Sequence, residues 1–265
     1  MQARLYVRAG LLGAAMLLAG GLPVDAQGTE PGPDTGIEFL LGGEQWQPGQ
    51  RFRAGADWLA LVCVRAECSF EPARLAVRRE QWQGHYDDKP TNGQKLTFSR
   101  QTSGPGKVLA WFRLNPRAPW ITPGPVTTYA ASTARIKRPA SEGTLELAID
   151  LPDGTQAALV PLYDREGKRF LIQLRVPGRR QLLDEIGSCS HTVSTEYLVW
   201  AGDLDRDGKP DYLIVFADEV GGVREVGEAK LYLGKEAGPG EIVGVAGVYV
   251  PPPYGGECDG SGWLE

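Results

Sequence analysis

Apolar residues along this chain come in short runs separated by clusters of Gly, Pro, Asn, Asp and Ser, without a sustained helical period. Such runs read as strands. A first group falls at 58–64 (WLALVCV), 69–77, 95–99 and 108–114. A second falls at 126–131, 144–151, 157–163 and 169–176, with Pro152-Asp153-Gly154 and Asp164-Arg165-Glu166-Gly167 as hairpin turns. A third falls at 197–200, 211–216, 228–233 and 242–250. Residues 115–125 (NPRAPWITPGP) are too rich in proline to lie inside a sheet, and a sub-boundary is marked near 115–142. Residues 180–186 predict one or two helical turns, stopped by Gly187. With 35 Gly and 20 Pro there is little room for longer helices. The expected fold is mainly β, an antiparallel sandwich or barrel-like assembly.

The N-terminal stretch follows a different pattern. Arg4 and Arg8 precede an apolar run at 9–22, and Val24-Asp25-Ala26 places small residues before Gln27. Residues 1–26 are therefore expected to be a signal peptide cleaved after Ala26, and the product to be secreted or periplasmic. The run is too short to span a membrane comfortably, and no other run approaches that length. Residues 27–36 (QGTEPGPDTG) read as a disordered leader, leaving 37–265 as the mainly β mature region. The formal net charge of −5 argues against nucleic acid or an anionic membrane as the main partner.

Four cysteines, Cys63, Cys68, Cys189 and Cys258, form an even set suited to an oxidising compartment. Three pairings exist. Cys63–Cys68 with Cys189–Cys258 is favoured, because the first closes a tight hairpin and the second a long loop around residues 200–216. A zinc site on Cys63, Cys68 and His85 is the rival reading, and it lacks a second cysteine pair at ligand spacing.

The densest chemistry lies in 200–216, WAGDLDRDGKPDYLIVF. Asp203, Asp205 and Asp207 stand two apart, Gly208 follows, and Asp211 returns a fourth carboxylate. So many anions repel one another unless a cation sits among them. Oxygen donors at loop positions 1, 3 and 5, a glycine at 6 and a carbonyl at 7, here that of Lys209, are what a Ca²⁺ loop requires. An EF-hand would also need Glu at position 12, where Ile214 stands. The apolar runs on both sides predict a loop between two C-terminal strands, with Asp211 as the closing carboxylate. An acidic surface turn without an ion is the plain alternative.

The segment GDLDRDGKPDYLIV resembles the calcium loop of FG-GAP/VCBS repeats, found in integrin α-chain propellers and in many bacterial secreted proteins. The resemblance implies side-chain ligands at Asp203, Asp205, Asp207 and Asp211 and a carbonyl ligand at Lys209. Those families repeat the motif several times; this chain has it once, so a propeller is not implied.

No catalytic constellation is recognisable. Neither a G-x-S-x-G elbow nor a phosphate-binding G-x-G-x-x-G turn occurs. His191 lies beside Cys189 and two serines, but neighbours in a strand point to opposite faces, and His85 sits in a polar loop. Glu67, Glu185, Glu196 and Glu219 look like solvated acids. Trp58, Trp111 and Trp200 read as core, whereas Trp46, Trp82, Trp120 and Trp263 fall in loop-like contexts that suit stacking on a carbohydrate or protein partner. The expected function is that of an exported, calcium-binding, disulfide-stabilised binding or structural module. The alternative is a secreted hydrolase with a structural calcium ion.

Overall fold

Strand is the conformation wherever the apolar runs fall. The computed structural model describes residues 37–42, 45–48, 51–83, 89–101, 104–116, 118–131, 146–164, 169–186, 198–215, 218–220, 223–225 and 228–249. The first strands are β1 (Phe39–Leu41), β2 (Gln45–Pro48), β3 (Gly55–Val64), β4 (Glu67–Trp82), β5 (Thr91–Arg100), β6 (Lys107–Arg113) and β7 (Gly124–Ala131). There follow β8 (Leu147–Asp150), β9 (Gln156–Asp164), β10 (Arg169–Val176) and β11 (Arg179–Ile186). The last are β12 (Leu198–Asp203), β13 (Asp211–Val215), β14 (Asp218–Val220), β15 (Val223–Glu225), β16 (Ala229–Leu233) and β17 (Gly244–Tyr249). A 3-10 turn, Gly234–Glu236, follows β16.

The main sheet runs β1-β6-β3-β4-β7-β12-β13-β16-β17, antiparallel throughout, and is nearly closed into a barrel. Its ends approach each other where Phe39 meets Tyr249, ring centroids 6.4 Å apart. Gly247 permits that approach, since a Cβ there would lie 3.0 Å from the Ile37 carbonyl. β4 is long enough to pair with β7 through Cys68–Phe70 and then with β5 through Ala73–Trp82. β2 adds to the free edge of β5. Phe39 and Phe70 pack on Phe112, while β5 brings Phe98 against Trp58 and Trp111. These rings anchor the larger core.

The four-stranded sheet β11-β10-β9-β8 covers the outside of the β12–β13–β16 wall. Strand alternation shows why β13 can be buried on both faces. Tyr212 and Ile214 join Leu147, Ile149, Leu159, Ile172 and Leu174 under the small sheet, while Leu213 and Val215 join the barrel core. Fully burying side chains of this size stabilises by roughly 1.5–3 kcal/mol each. Polar ties hold the two layers in register. The Gln181 amide accepts from Ile242 N (2.6 Å) and Val243 N (3.0 Å) and donates to the Val243 carbonyl (2.8 Å).

The mainly β, barrel-like fold read from the pattern is the one observed, and each predicted strand overlaps an observed one. The helical turns expected at 180–186 are instead β11, which pairs with β10 through Val176↔Arg179 to Phe170↔Ile186. Pro177-Gly178, with Gly178 at φ 71°, reverses the chain, and the register shift between Ile172 and Gln173 disturbs the strand alternation. Trp46 and Trp82, expected in loops, lie in β2 and β4. The β8–β9 turn forms as expected, Asp153 accepting from Thr155 N (2.9 Å) and Gly154 at φ 81°. β7 lies within the stretch marked as a sub-boundary and pairs with both β4 and β12. Residues 1–36, with the expected signal and leader, lie outside the described residues.

Candidate metal centre

β12 ends at Asp203 and β13 begins at Asp211, with Gly202 opposite Asp211 in the ladder. Gly202 is forced by space, because a Cβ there would fall 2.1 Å from the Thr127 carbonyl and 2.3 Å from the Trp200 ring. Two residues in the left-handed region bend the connecting loop, Arg206 at φ 63° and Gly208 at φ 82°. The Arg206 guanidinium ties the loop to the β6–β7 connection and the start of β7, donating to Thr122 Oγ1 at 3.2 Å and to the Pro125 carbonyl at 3.5 Å. Leu204 points into the barrel core. The loop is thereby fixed at its start, middle and end.

The carboxylates organise the backbone within it. Asp203 Oδ1 accepts from Asp207 N (3.0 Å) and Oδ2 from Gly208 N (3.1 Å). Asp205 Oδ1 shares the Asp207 N–H at 3.2 Å. Asp211 is fully buried and accepts from Leu204 N at 2.6 Å and from Gly234 N at 2.9 Å. One carboxylate oxygen from each of Asp203, Asp205 and Asp211 lies within 4.8 Å of the others. The Asp205 side chain is 1 % exposed, and its Oδ2 is buried without a hydrogen bond. The Lys235 ammonium is 3.0 Å from that oxygen, paired by charge without hydrogen-bond alignment, and lies 4.2 Å from the centroid of the Trp120 ring.

Burial and crowding disturb the titration of these groups. Burial pushes the Asp211 carboxyl up to about 7, against the Gly234 and Leu204 N–H groups that favour the anion and with Asp205 and Asp207 adding repulsion. Asp205 is raised by burial, opposed by Lys235. Tyr129 is raised by burial and then by the charges of Asp203, Asp211 and Asp207, and Tyr212 by burial and then Asp211. When all three converging carboxylates are ionised, one ammonium leaves a surplus of two negative charges. Either a proton on Asp211 or a divalent cation reduces that surplus.

Of the residues singled out by spacing, Asp203, Asp205 and Asp211 come together. Asp207 stands outside that group, with Oδ1 accepting from Lys209 N at 2.8 Å and Oδ2 3.9 Å from Lys209 Nζ. Lys235, Trp120 and Gly234 complete the surroundings, and spacing within the loop could not reveal them. The signal available was strand pairing: Tyr212↔Tyr232 places the end of β16, and hence Gly234 and Lys235, beside Asp211.

Cys63 and Cys68 form the expected disulfide across the β3–β4 hairpin, Cα atoms 4.1 Å apart. That bond removes both cysteines from the rival zinc set. Cys189, Cys258, His85, His191, Glu196 and Trp263 lie outside the described residues. Glu67 is exposed at the β3–β4 turn, and Glu185 and Glu219 lie in β11 and β14. Among the described residues no helix is long and apolar enough to cross a membrane.

Compared with protein-family models, curated proteins and solved structures, the chain matches none.

Proposed function

We propose that the loop between β12 and β13 binds one Ca²⁺ ion and that the protein acts as an exported binding or structural module which the ion stiffens. The observation that carries this reading is the convergence of Asp203, Asp205 and Asp211, one oxygen of each within 4.8 Å of the others, around a buried Asp205 oxygen that is paired with the Lys235 ammonium at 3.0 Å. Hard oxygen donors on a glycine-bent loop suit Ca²⁺ rather than a metal that prefers nitrogen or sulfur. In the bound form Asp207 and the Lys209 carbonyl, at loop positions 5 and 7, would complete the shell, Asp207 by turning its partly exposed side chain inward. The ion would then pin the β12–β13 connection, which Asp211 already joins to the turn after β16 through Gly234 N.

The Cys63–Cys68 disulfide fits a non-cytoplasmic protein. Together with the pattern of residues 1–26 it supports secretion or residence in a periplasm. The partner would be a protein or a carbohydrate.

A second reading rests on Lys235. Its ammonium, 3.0 Å from Asp205 Oδ2, would serve as the permanent counter-ion of a purely structural loop. Calorimetric titration of chelator-treated protein with CaCl₂ separates the two. The proposal expects saturable binding of one ion per chain, abolished in Asp205→Ala. Absence of binding heat, with a melting curve indifferent to CaCl₂, would leave Lys235 as the sole counter-ion.

A further inference from the structure

A second site is suggested at the other end of the β4–β5 ribbon. Residues two apart on a strand share a face, and register places Leu75, Val77, Arg79 and Gln81 opposite Phe98, Leu96, Gln94 and Asn92. This face is apolar where it covers Trp58 and Trp111 and turns polar farther out. There the end of the ribbon, with residues of both faces, lines a cleft of about 780 Å³ together with Arg51 from the segment before β3. Gln94 holds that segment in place, accepting from Phe52 N at 2.7 Å and donating to the Phe52 carbonyl at 3.4 Å.

Two features give the cleft a chemical preference. Among the described residues no ion pair engages Arg51 or Arg79, the two arginines of the lining. The lining holds one acid among the described residues, Glu80, which accepts from Arg78 at 2.6 Å. Beside them Gln81 Nε2 donates to Asn92 Oδ1 at 3.0 Å. That bond leaves the Gln81 carbonyl as an acceptor and the Asn92 amide as a donor, the pairing that a hydroxyl needs.

We propose that this cleft binds an acidic oligosaccharide, with a sugar carboxylate on Arg51 and Arg79 and sugar hydroxyls on Gln81 and Asn92. Guanidinium forks match carboxylate geometry. A bare phosphate would leave most of the volume unfilled and would set its charge against the Gln81 carbonyl. The size falls in the usual range for small-ligand sites, and the guanidiniums form a cationic island on a chain of net charge −5.

The test is calorimetry on the full chain at about 50 mM salt, with trigalacturonate, neutral maltotriose and inorganic phosphate as probes. Trigalacturonate should bind once per chain and the other two should not. Arg79→Gln and Arg51→Gln should each weaken it about tenfold or more, the loss expected for a charged hydrogen bond, without moving the melting temperature, since both side chains are exposed. Failure of trigalacturonate to bind would overturn the proposal. So would equal binding of phosphate or maltotriose, or affinity unchanged in both arginine variants. None of these outcomes depends on the metal centre.

Discussion

Asp205→Asn isolates the ion from the fold. In the ion-free protein Asp205 contributes little to holding the loop: Oδ1 shares at 3.2 Å an N–H that Asp203 already accepts at 3.0 Å, and Oδ2 accepts no hydrogen bond. Replacing the carboxylate removes a buried charge raised by desolvation and frees Lys235, which keeps its place over Trp120. These effects oppose each other, so the ion-free variant should lie within about 1 kcal/mol of the parent. With the ion the difference is larger. For a site of Kd about 0.1 mM in about 2 mM Ca²⁺, linkage adds roughly 2 kcal/mol to the parent. For a chain of this size that is about 4–7 °C in melting temperature. The assay is thermal unfolding of both proteins, first stripped with chelator and then in CaCl₂. The parent should gain those degrees and the variant should not. An equal gain in both, or none in the parent, would refute the reasoning.

Three further outcomes follow from the same geometry. Asp211 titrates at about 7 in the fold against 3.8 as a free side chain, so between those values the folded state holds a proton that the unfolded chain has released. This contribution is fully present below about 3.8 and is lost as pH rises through 7. Ion-free stability at this group should therefore fall by up to roughly 4 kcal/mol from pH 4 to pH 8, measured by urea unfolding. Lys235→Met should lower ion-free stability and tighten Ca²⁺ binding several-fold by calorimetry, because the ammonium competes for Asp205. Replacing Cys63 and Cys68 together by alanine should cost about 2 kcal/mol in denaturant unfolding, the chain entropy of so short a loop.

Much of this architecture is legible in local pattern because its strands carry apolar runs that lie between turn residues. β13 is the clearest case: its apolar run is buried on both faces between two cores. β11 is not legible in the same way, because Leu182, Leu183 and Ile186 fit a helical spacing as readily as an irregular strand. Pro177-Gly178 was the local sign that the chain reverses there. The aspartates were visible because ligand spacing within one loop is a local property. Lys235 and Trp120 were not, since only the β13–β16 pairing and the β6–β7 connection bring them to Asp205. Trp120 also shows why composition misleads about binding. Its ring packs against the barrel core and under an ammonium instead of standing clear of the surface.

The most direct test is a crystal structure of the chain grown in CaCl₂, with anomalous scattering to mark the ion. The expected result is one peak about 2.4 Å from an oxygen of each of Asp203, Asp205 and Asp211, with the Lys235 ammonium moved away from Asp205. A map with no peak there, and Lys235 still 3.0 Å from Asp205 Oδ2, would contradict it.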